Sequence, residues 1–294
     1  MTAAEALQHS LPLQMTSQSN SGCHARSEPA PHVDLGKIND IQSQAAIARD
    51  LAITSRTTGC TALVNHGVDI QKMMDVARDL FDLPPDEQAR FQLKDFDGMI
   101  GFEHSGPGVD LLWLSGKAFS VPKERLPLKV QASLSEIDSF KHSCEQLAHR
   151  LLVYFSIALG HNDDQYFPKL FGKPGSNVQF RIRRYSPDSA GSTGTSATVW
   201  HWLPASSTGS ITFGFVSAGG MELETADGKW RVVHEGKDAV LTYLGDVVPL
   251  WSRSHSRRIK FRFVWPSDVL GTERFSMMYQ MATSVDKTFT SARD

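Results

Sequence analysis

The last strand-like stretch of the chain reads Arg274-Phe275-Ser276-Met277-Met278-Tyr279-Gln280-Met281. It closes a series of short segments, rich in β-branched and aromatic residues, that follow one another from residue 178 onward. Turn signals such as Gly219-Gly220 separate several of them. The predicted strands cover residues 178–185, 197–203, 209–216, 220–225, 229–234, 238–244, 258–265 and 274–281. This succession after a helical half predicts an α+β protein around a double-stranded β-helix, the jelly-roll architecture.

The first half of the chain has the apolar spacing of helices. Residues 43–56, 69–81 and 133–160 repeat apolar side chains every three or four positions, and Gly160 marks the end of the third segment. Residues 58–65 form a short apolar run that predicts a strand. We predict a flexible N-terminal tail, a mainly helical region, the β-helix core and a loose C-terminal tail, with bounds at 1–30, 31–175, 176–284 and 285–294.

Charge and cysteine content exclude several classes of partner. The net charge is −2 with both signs interspersed, which leaves no basic patch for nucleic acid or for a membrane surface. No apolar run approaches the length of a transmembrane helix. Cys23, Cys60 and Cys144 are too widely spaced for a disulfide framework or a zinc site, so we expect a reducing, cytoplasmic location. We therefore expect a small-molecule substrate as the binding partner. The sequence also leaves open whether the chain forms a homodimer or associates with a partner enzyme.

Several motifs follow one another along the chain in a fixed order. Asn65-His66-Gly67 ends a predicted strand, Phe81-Asp82-Leu83-Pro84 precedes a helix, and residues 181–187 read Arg-Ile-Arg-Arg-Tyr-Ser-Pro. The stretch from Gly245 to Val264 and then Arg274-Phe275-Ser276 complete the series. In this order and spacing the chain resembles the 2-oxoglutarate/iron(II) dioxygenases of the isopenicillin N synthase-like group. The resemblance implies a jelly-roll enzyme that acts on a small secondary metabolite.

Two of the three iron ligands that this resemblance implies are replaced. The family pattern is His-x-Asp followed by a distal His, and the chain offers His201 with Leu203 and then Phe261. Such a site needs two imidazoles and one carboxylate, and a leucine or phenylalanine side chain has no lone pair. Taking His255 as the distal ligand breaks the gapless match, and no Asp or Glu occurs between His201 and Glu222. We therefore predict no bound metal and no cofactor.

The end of the site that receives a carboxylate is intact in the sequence. Arg274 and Ser276 are two residues apart on a predicted strand, so their side chains share a face. A guanidinium fork beside a hydroxyl is a good carboxylate receptor. The resemblance implies that this pair holds the distal carboxylate of 2-oxoglutarate. The alternative is an arginine paired with a structural acid inside the barrel.

Arg183 and Tyr185 share a strand face in the same way. Arg183 stands where the family usually has Asn, and a buried cation is costly without a partner. That partner is either the anionic group of a ligand or a protein carboxylate, for which Asp246 and Glu222 are candidates.

The predicted site combines these polar residues with an aromatic lining. Residues 110–113 read Asp-Leu-Leu-Trp where the family often has Asp-x-Lys-Glu, so hydrocarbon replaces charge there. The alternative for each aromatic residue is simple core packing. The predicted catalytic residues are His201, Arg183 and Tyr185. The predicted substrate-binding residues are Arg274, Ser276, Phe261, Leu203, Trp202, Trp113 and Phe102.

Three functions remain open from the sequence. The first is an iron-independent, non-oxidative tailoring enzyme of the lyase or isomerase type, which catalyses a dehydration, isomerisation, cyclisation or pericyclic reaction by folding its substrate in an apolar cavity. The second is a non-catalytic binding or partner subunit, a pseudo-oxygenase. The third is an active oxygenase with atypical metal ligands, since a fold does not fix a function.

Overall fold

A computed structural model gives the structure of the chain over most of its length. It describes residues 28–29, 32–37, 40–57, 59–93, 100–106, 108–115, 122–171, 178–186, 200–202, 210–217, 221–224, 230–234, 238–244, 261–263 and 273–282. The predicted C-terminal tail and most of the predicted N-terminal tail lie outside these residues.

The described helices gather in the first half of the chain. They are α1 (Ile41–Thr57), α2 (Ile70–Phe81), α3 (Pro85–Ala89), α4 (Leu128–Ala132), α5 (Leu134–Ala158) and α6 (Tyr166–Phe171). Two short 3-10 helices cover Leu35–Lys37 and Lys123–Arg125. The periodicity of apolar residues predicted α1, α2 and α5 with bounds within two residues of those observed, and the structure confirms them. No helix among the described residues is long and apolar enough to span a membrane.

The described strands form two sheets. They are β1 (Glu28–Pro29), β2 (His32–Asp34), β3 (Cys60–Val64), β4 (Ile100–Gly106), β5 (Val109–Leu114), β6 (Val178–Tyr185), β7 (Trp200–Trp202), β8 (Ser210–Val216), β9 (Met221–Glu224), β10 (Trp230–His234), β11 (Val240–Leu244), β12 (Phe261–Phe263) and β13 (Arg274–Ala282). The larger sheet has the order β2-β3-β11-β8-β13-β6-β5-β4, and the smaller one the order β1-β10-β9-β12-β7.

The two sheets pack against each other as in a jelly roll, which confirms the predicted fold class. Leu223 on β9 of the smaller sheet packs in one buried cluster with Ala62 on β3 and with Leu241 and Tyr243 on β11 of the larger sheet. We call the side of the larger sheet that carries this cluster the barrel face. The opposite side, the helix face, packs against the helices.

A hydrophobic core between α5 and the helix face holds the larger sheet in place. Phe140 on α5 lies 5.2 Å, centroid to centroid, from both Phe180 on β6 and Phe215 on β8. Helix α5 ends at Ala158, and Gly160 takes a positive φ of 73° that stops the helix at little steric cost. Burial of rings of this size supplies much of the driving force for folding.

The hairpin of β4 and β5 was not predicted from the sequence. It lies at one edge of the larger sheet, where β5 pairs with β6. From Leu111 to Leu114 strand β5 is buried on both faces, so this part of its sequence is a continuous apolar run without the alternation that indicates a strand. The region 31–175, predicted as mainly helical, therefore also contributes β2, β3, β4 and β5 to the larger sheet.

His66 connects the turn after β3 to the segment that precedes β11. Its Nε2 lies 2.9 Å from the carbonyl oxygen of Asp238, and its Nδ1 accepts a hydrogen bond from the backbone N–H of Val68. A neutral imidazole with its proton on Nε2 satisfies both contacts, whereas protonation of Nδ1 would remove the second. Burial lowers the pKa of His66, and Arg150 nearby lowers it further.

We predict that acid destabilises the fold through His66. A histidine with a depressed pKa in the folded state stabilises the protein above its unfolded pKa of about 6.5, and this contribution is lost as the pH falls below that value. Thermal unfolding followed between pH 7.5 and pH 5 should show a larger loss for the wild type than for His66→Gln. Equal slopes for the two proteins would show that His66 does not titrate in this way.

Candidate functional site

The candidate site lies on the barrel face of two central strands. Strand β13 pairs antiparallel with β6 so that Arg274 is opposite Tyr185 and Ser276 is opposite Arg183. Directly opposite residues in a ladder project from the same face, and successive residues alternate. Phe275 belongs to the core on the helix face. The alternation therefore places the four polar residues together on the barrel face, as predicted.

All four side chains are removed from water. Arg274 is 2% exposed and Arg183 7%, and Ser276 and Tyr185 are also buried. The Arg274 guanidinium carbon lies 5.8 Å from the centre of the Tyr185 ring. Guanidinium groups at such depth interact with a carboxylate more strongly than groups at the surface because the local dielectric constant is low.

Arg181 is a member of this face that the sequence analysis did not single out. It is 5% exposed and lies opposite Met278 on β13, to whose Sδ its Nη2 donates at 3.4 Å. Burial lowers the pKa of the Arg181 guanidinium, and the positive charge of Arg183 lowers it further. The signal was present in the sequence, because Arg181, Arg183 and Tyr185 follow the same two-residue alternation.

Trp113 on β5 continues the barrel face beyond Arg181. The Arg181 guanidinium lies 5.2 Å from the centre of the Trp113 ring, and the two residues are paired across β5 and β6. The indole Nε1 donates a hydrogen bond of 2.7 Å to Oε2 of Glu103. An aromatic face beside a guanidinium favours a cation–π contact and fixes the direction of the arginine. The structure thus brings the predicted pocket residue Trp113 to the site.

Phe102 was predicted to line the pocket, and the structure instead places it in the core on the helix face. Its ring lies 5.5 Å from that of Phe81 and 5.9 Å from that of Phe91. It is opposite Leu112, which belongs to the same core. The sequence suggested an aromatic lining but could not show on which face of β4 this ring lies.

Tyr243 on β11 also extends the barrel face. Its hydroxyl donates to Sδ of Met278 at 3.6 Å, so the phenol and Arg181 contact the same sulfur. Burial raises the pKa of Tyr243, and the nearby Arg181 and Arg183 oppose that shift. The phenol therefore stays protonated at neutral pH and acts as a hydrogen-bond donor.

Arg184 shows the opposite arrangement on the same strand. Its Nη2 donates at 2.9 Å to Oδ2 of Asp110, and its Nη1 donates at 3.1 Å to the carbonyl oxygen of Phe81. Asp110 also contacts the Nδ1 of His104 at 2.9 Å. Arg184 thus ties β6 to β5 and to the end of α2, which is a structural role away from the barrel face.

The three positions that the resemblance matches to iron ligands lie on the smaller sheet or outside the described residues. In the pairing of β12 with β7, Arg262 is opposite His201 and Phe261 is opposite Trp202. Phe261 is also opposite Leu223, which packs toward the barrel face. His201 and Phe261 are therefore not directly opposite each other in the pairing of β7 with β12, because their register differs by one residue. Leu203 lies outside the described residues.

Leucine and phenylalanine, which stand at two of these positions, have no lone pair to donate to a ferrous ion. In the part of the chain that the structure describes, no three His, Cys, Asp or Glu residues come together as a metal site could require. The residue paired with His201 is Arg262, and arginine has no lone pair to donate to a metal cation. The roles predicted for His201, Trp202, Leu203 and Phe261 stay predictions.

Comparisons with known proteins agree with the fold. Residues 30–110 match a family model described as "non-haem dioxygenase in morphine synthesis N-terminal". The "2-oxoglutarate-dependent dioxygenase 21, chloroplastic" of Oryza sativa subsp. japonica is 22% identical over 246 residues, 80% of this chain and 72% of the relative. The "naringenin,2-oxoglutarate 3-dioxygenase" of Matthiola incana is 30% identical over 46% of this chain, which spans only 41% of that relative.

Solved structures extend the likeness across the molecule. A full-length Neurospora crassa protein in complex with alpha-KG superposes with a TM-score of 0.73 at 17% identity, covering 88% of this chain and 86% of that one. The dioxygenase for auxin oxidation 1 from Arabidopsis thaliana superposes with a TM-score of 0.66 at 18% identity, covering 88% of this chain and 95% of that one. The chain resembles the 2-oxoglutarate/iron(II) dioxygenase superfamily. This dioxygenase-like chain shares the jelly-roll scaffold of these proteins.

We predict that Phe102→Ala in this dioxygenase-like chain lowers stability without affecting the site. Removing a buried ring leaves a cavity that costs about 3–5 kcal/mol of unfolding free energy. Denaturant unfolding measures this loss, and Phe102→Leu, which leaves a smaller cavity, should lose less. The affinity of the folded variant for a carboxylate ligand should match that of the wild type. A loss of affinity at unchanged stability would show instead that Phe102 contributes to ligand binding.

Proposed function

We propose that this chain is an iron-independent enzyme that holds an acidic small molecule on the barrel face and converts it in a non-oxidative reaction. The observation that carries this proposal is the buried group of Arg274, Ser276, Arg183 and Tyr185 on paired central strands. A small natural product with a carboxylate is the proposed substrate class. The reaction class is a dehydration, isomerisation, cyclisation or pericyclic step.

Arg274 and Ser276 would bind the carboxylate of the substrate. The planar guanidinium offers two parallel N–H donors, and the serine hydroxyl adds a third donor from the next position on the same face. Because both side chains extend from a strand in the middle of the larger sheet, their positions are fixed by the pairing of β13 with β6 and β8. A rigid support of this kind suits a receptor that must orient its ligand.

Arg183 would supply the chemistry that a neutral amide could not. Its position opposite Ser276 places a second positive charge beside the bound carboxylate. A fixed guanidinium in a buried site stabilises negative charge that develops on an oxygen of the substrate, such as an enolate or a leaving hydroxyl. The phenol of Tyr185, next along the same face, can donate a hydrogen bond to the same oxygen or pass it a proton.

Folding of the substrate by the pocket would supply the rest of the rate acceleration. Closure of a flexible chain into a ring is limited by the entropy of bringing its ends together, and a shaped apolar wall removes much of that barrier. Trp113 and Leu111 give the barrel face such walls beside the arginines. His201 is the candidate general acid or base where the reaction moves a proton.

An oxidoreductase is the second candidate function. It is supported by the similarity to 2-oxoglutarate-dependent dioxygenases and by the Arg274 and Ser276 pair in this chain. It requires metal ligands other than the side chains at positions 203 and 261, so binding and turnover measurements separate the two candidates.

We predict that Arg274→Gln weakens the binding of 2-oxoglutarate and other small carboxylates by about tenfold to hundredfold. The reason is the loss of a buried, charge-assisted pair of hydrogen bonds, worth about 1.5–3 kcal/mol. Isothermal titration calorimetry on folded protein measures the change. The matched control is Arg184→Gln, which removes the same charge from the helix face of β6 and should leave the affinity unchanged. Unchanged affinity in Arg274→Gln would remove the proposed receptor.

We predict that the protein retains no stoichiometric iron and does not turn over 2-oxoglutarate. After anaerobic incubation with Fe(II) and removal of free metal, elemental analysis should find far less than one iron per chain. Addition of oxygen and 2-oxoglutarate should release no succinate. A dioxygenase with an intact ligand triad, treated in parallel, is the positive control. One tightly held iron per chain together with succinate release would establish the oxidoreductase instead.

A further inference from the structure

Tyr243 reaches from β11 across β8 toward β13 on the barrel face. Its partner in register on β8 is Thr212, which in turn is opposite Gln280 on β13. The ring leans out of this row of opposed residues into the next row, where its hydroxyl donates to Sδ of Met278 at 3.6 Å. The following residue of β13 on the same face is Ser276, so the lean brings the hydroxyl closer to the proposed carboxylate receptor.

Gly214 on β8 leaves the room that this lean requires. It lies in register between Leu241 on β11 and Met278 on β13. A Cβ atom at Gly214 would be 3.9 Å from Cε1 of Tyr243, so the ring crosses the barrel face directly beside this position. A glycine inside a strand often marks a place where another group approaches the backbone closely. A long side chain here would occupy the space through which the phenol extends.

The hydrogen bond from Tyr243 to Met278 is one that an oxygen atom of a ligand can replace. A phenol has a single proton to donate, and here that proton is directed at a thioether, which is a weak acceptor. Contacts of the ring or of the oxygen lone pairs do not compete for this proton. The Met278 side chain is unbranched and flexible, so its sulfur can move aside. Burial keeps the pKa of Tyr243 raised, so the proton is present at neutral pH.

We infer that Tyr243 is a specificity-determining residue of the site, and that its hydroxyl donates a hydrogen bond to an uncharged hydroxyl group of the substrate. This inference rests on the proposed function, since Arg274 and Ser276 hold the carboxylate at the other end of the same molecule. A strand rises about 3.3 Å per residue, so the row of Met278 lies roughly 7 Å from that of Ser276. The substrate class is therefore a hydroxy acid in which several bonds separate the hydroxyl from the carboxylate.

The first test uses only the wild-type protein. Calorimetric titration with unbranched acids that carry a terminal hydroxyl, from hydroxyacetate to hydroxyhexanoate, should give an affinity maximum at one chain length. The best hydroxy acid should bind about threefold to tenfold more tightly than its methyl counterpart, the acid in which a methyl group replaces the hydroxyl. If no hydroxy acid of the series binds more tightly than its methyl counterpart, the inference is wrong. This result does not depend on the folding of any variant.

The second test assigns the preference to Tyr243. Tyr243→Phe keeps the ring beside Gly214 and removes only the oxygen, so it should bind the best hydroxy acid about threefold to tenfold more weakly and its methyl counterpart as the wild type does. Tyr279→Phe is the matched control, because its ring packs against Phe213 in the core on the helix face of β13, and it should keep the wild-type preference. A preference lost in Tyr185→Phe and kept in Tyr243→Phe would assign the donor to Tyr185 and overturn the inference.

The inference and the proposed function fail in different ways. If the wild type binds neither acid of any pair, or if Arg274→Gln binds both as the wild type does, the proposed function fails at its carboxylate receptor and the inference fails with it. If Arg274→Gln weakens both acids and Tyr243→Phe weakens neither, the receptor stands and the role of Tyr243 is wrong. If Arg274→Gln weakens both acids and Tyr243→Phe weakens only the hydroxy acid, both proposals hold.

Discussion

The burial of three guanidinium groups on one face of the larger sheet is the constraint on which the site depends. Moving a charged group out of water costs several kcal/mol even after the protein relaxes. The two-residue alternation of β6 confines these charged groups to one face of the sheet. Phe180 and Ile182 point to the helix face, while Arg181 and Arg183 point to the barrel face. A shift of one residue in register would place two cations in the helical core.

Strand β6 carries arginines in two different environments. Arg184 meets a carboxylate, a carbonyl oxygen and an aromatic ring on the helix face, and through them it joins β6 to β5 and to helix α2. Its interactions stabilise the scaffold. Arg181, in contrast, has a sulfur and an indole beside it on the barrel face, and the Glu103 carboxylate acts on it from nearby. The face, rather than the residue type, distinguishes the structural Arg184 from Arg274 and Arg183, which we propose bind a ligand.

The sequence predicts single elements better than the relations between them. Helices α1, α2 and α5 and the strands from β6 onward follow from periodicity and turn residues, and so does the shared face of Arg274 and Ser276. The β4–β5 hairpin was missed because a strand buried on both faces does not alternate. Phe102 was misplaced because spacing defines two faces without saying which one meets the helices. The relation of His201 to Phe261 depends on the register of β7 against β12, which packing and the joining loops determine.

The energetic cost of the barrel face argues for a ligand rather than for a bare scaffold. Apolar side chains of similar volume commonly replace buried ionic groups with no loss of stability, and often with a gain. A jelly roll kept only for its shape would therefore be at least as stable with Leu or Met in place of Arg274, Arg183 and Arg181. The helix face of the same strands is filled with Phe180, Ile182 and other hydrocarbon side chains, so this chain does build an apolar core where packing alone is required. We therefore propose that the cations of the barrel face are retained for binding an anionic ligand, which would offset part of the cost of burying them.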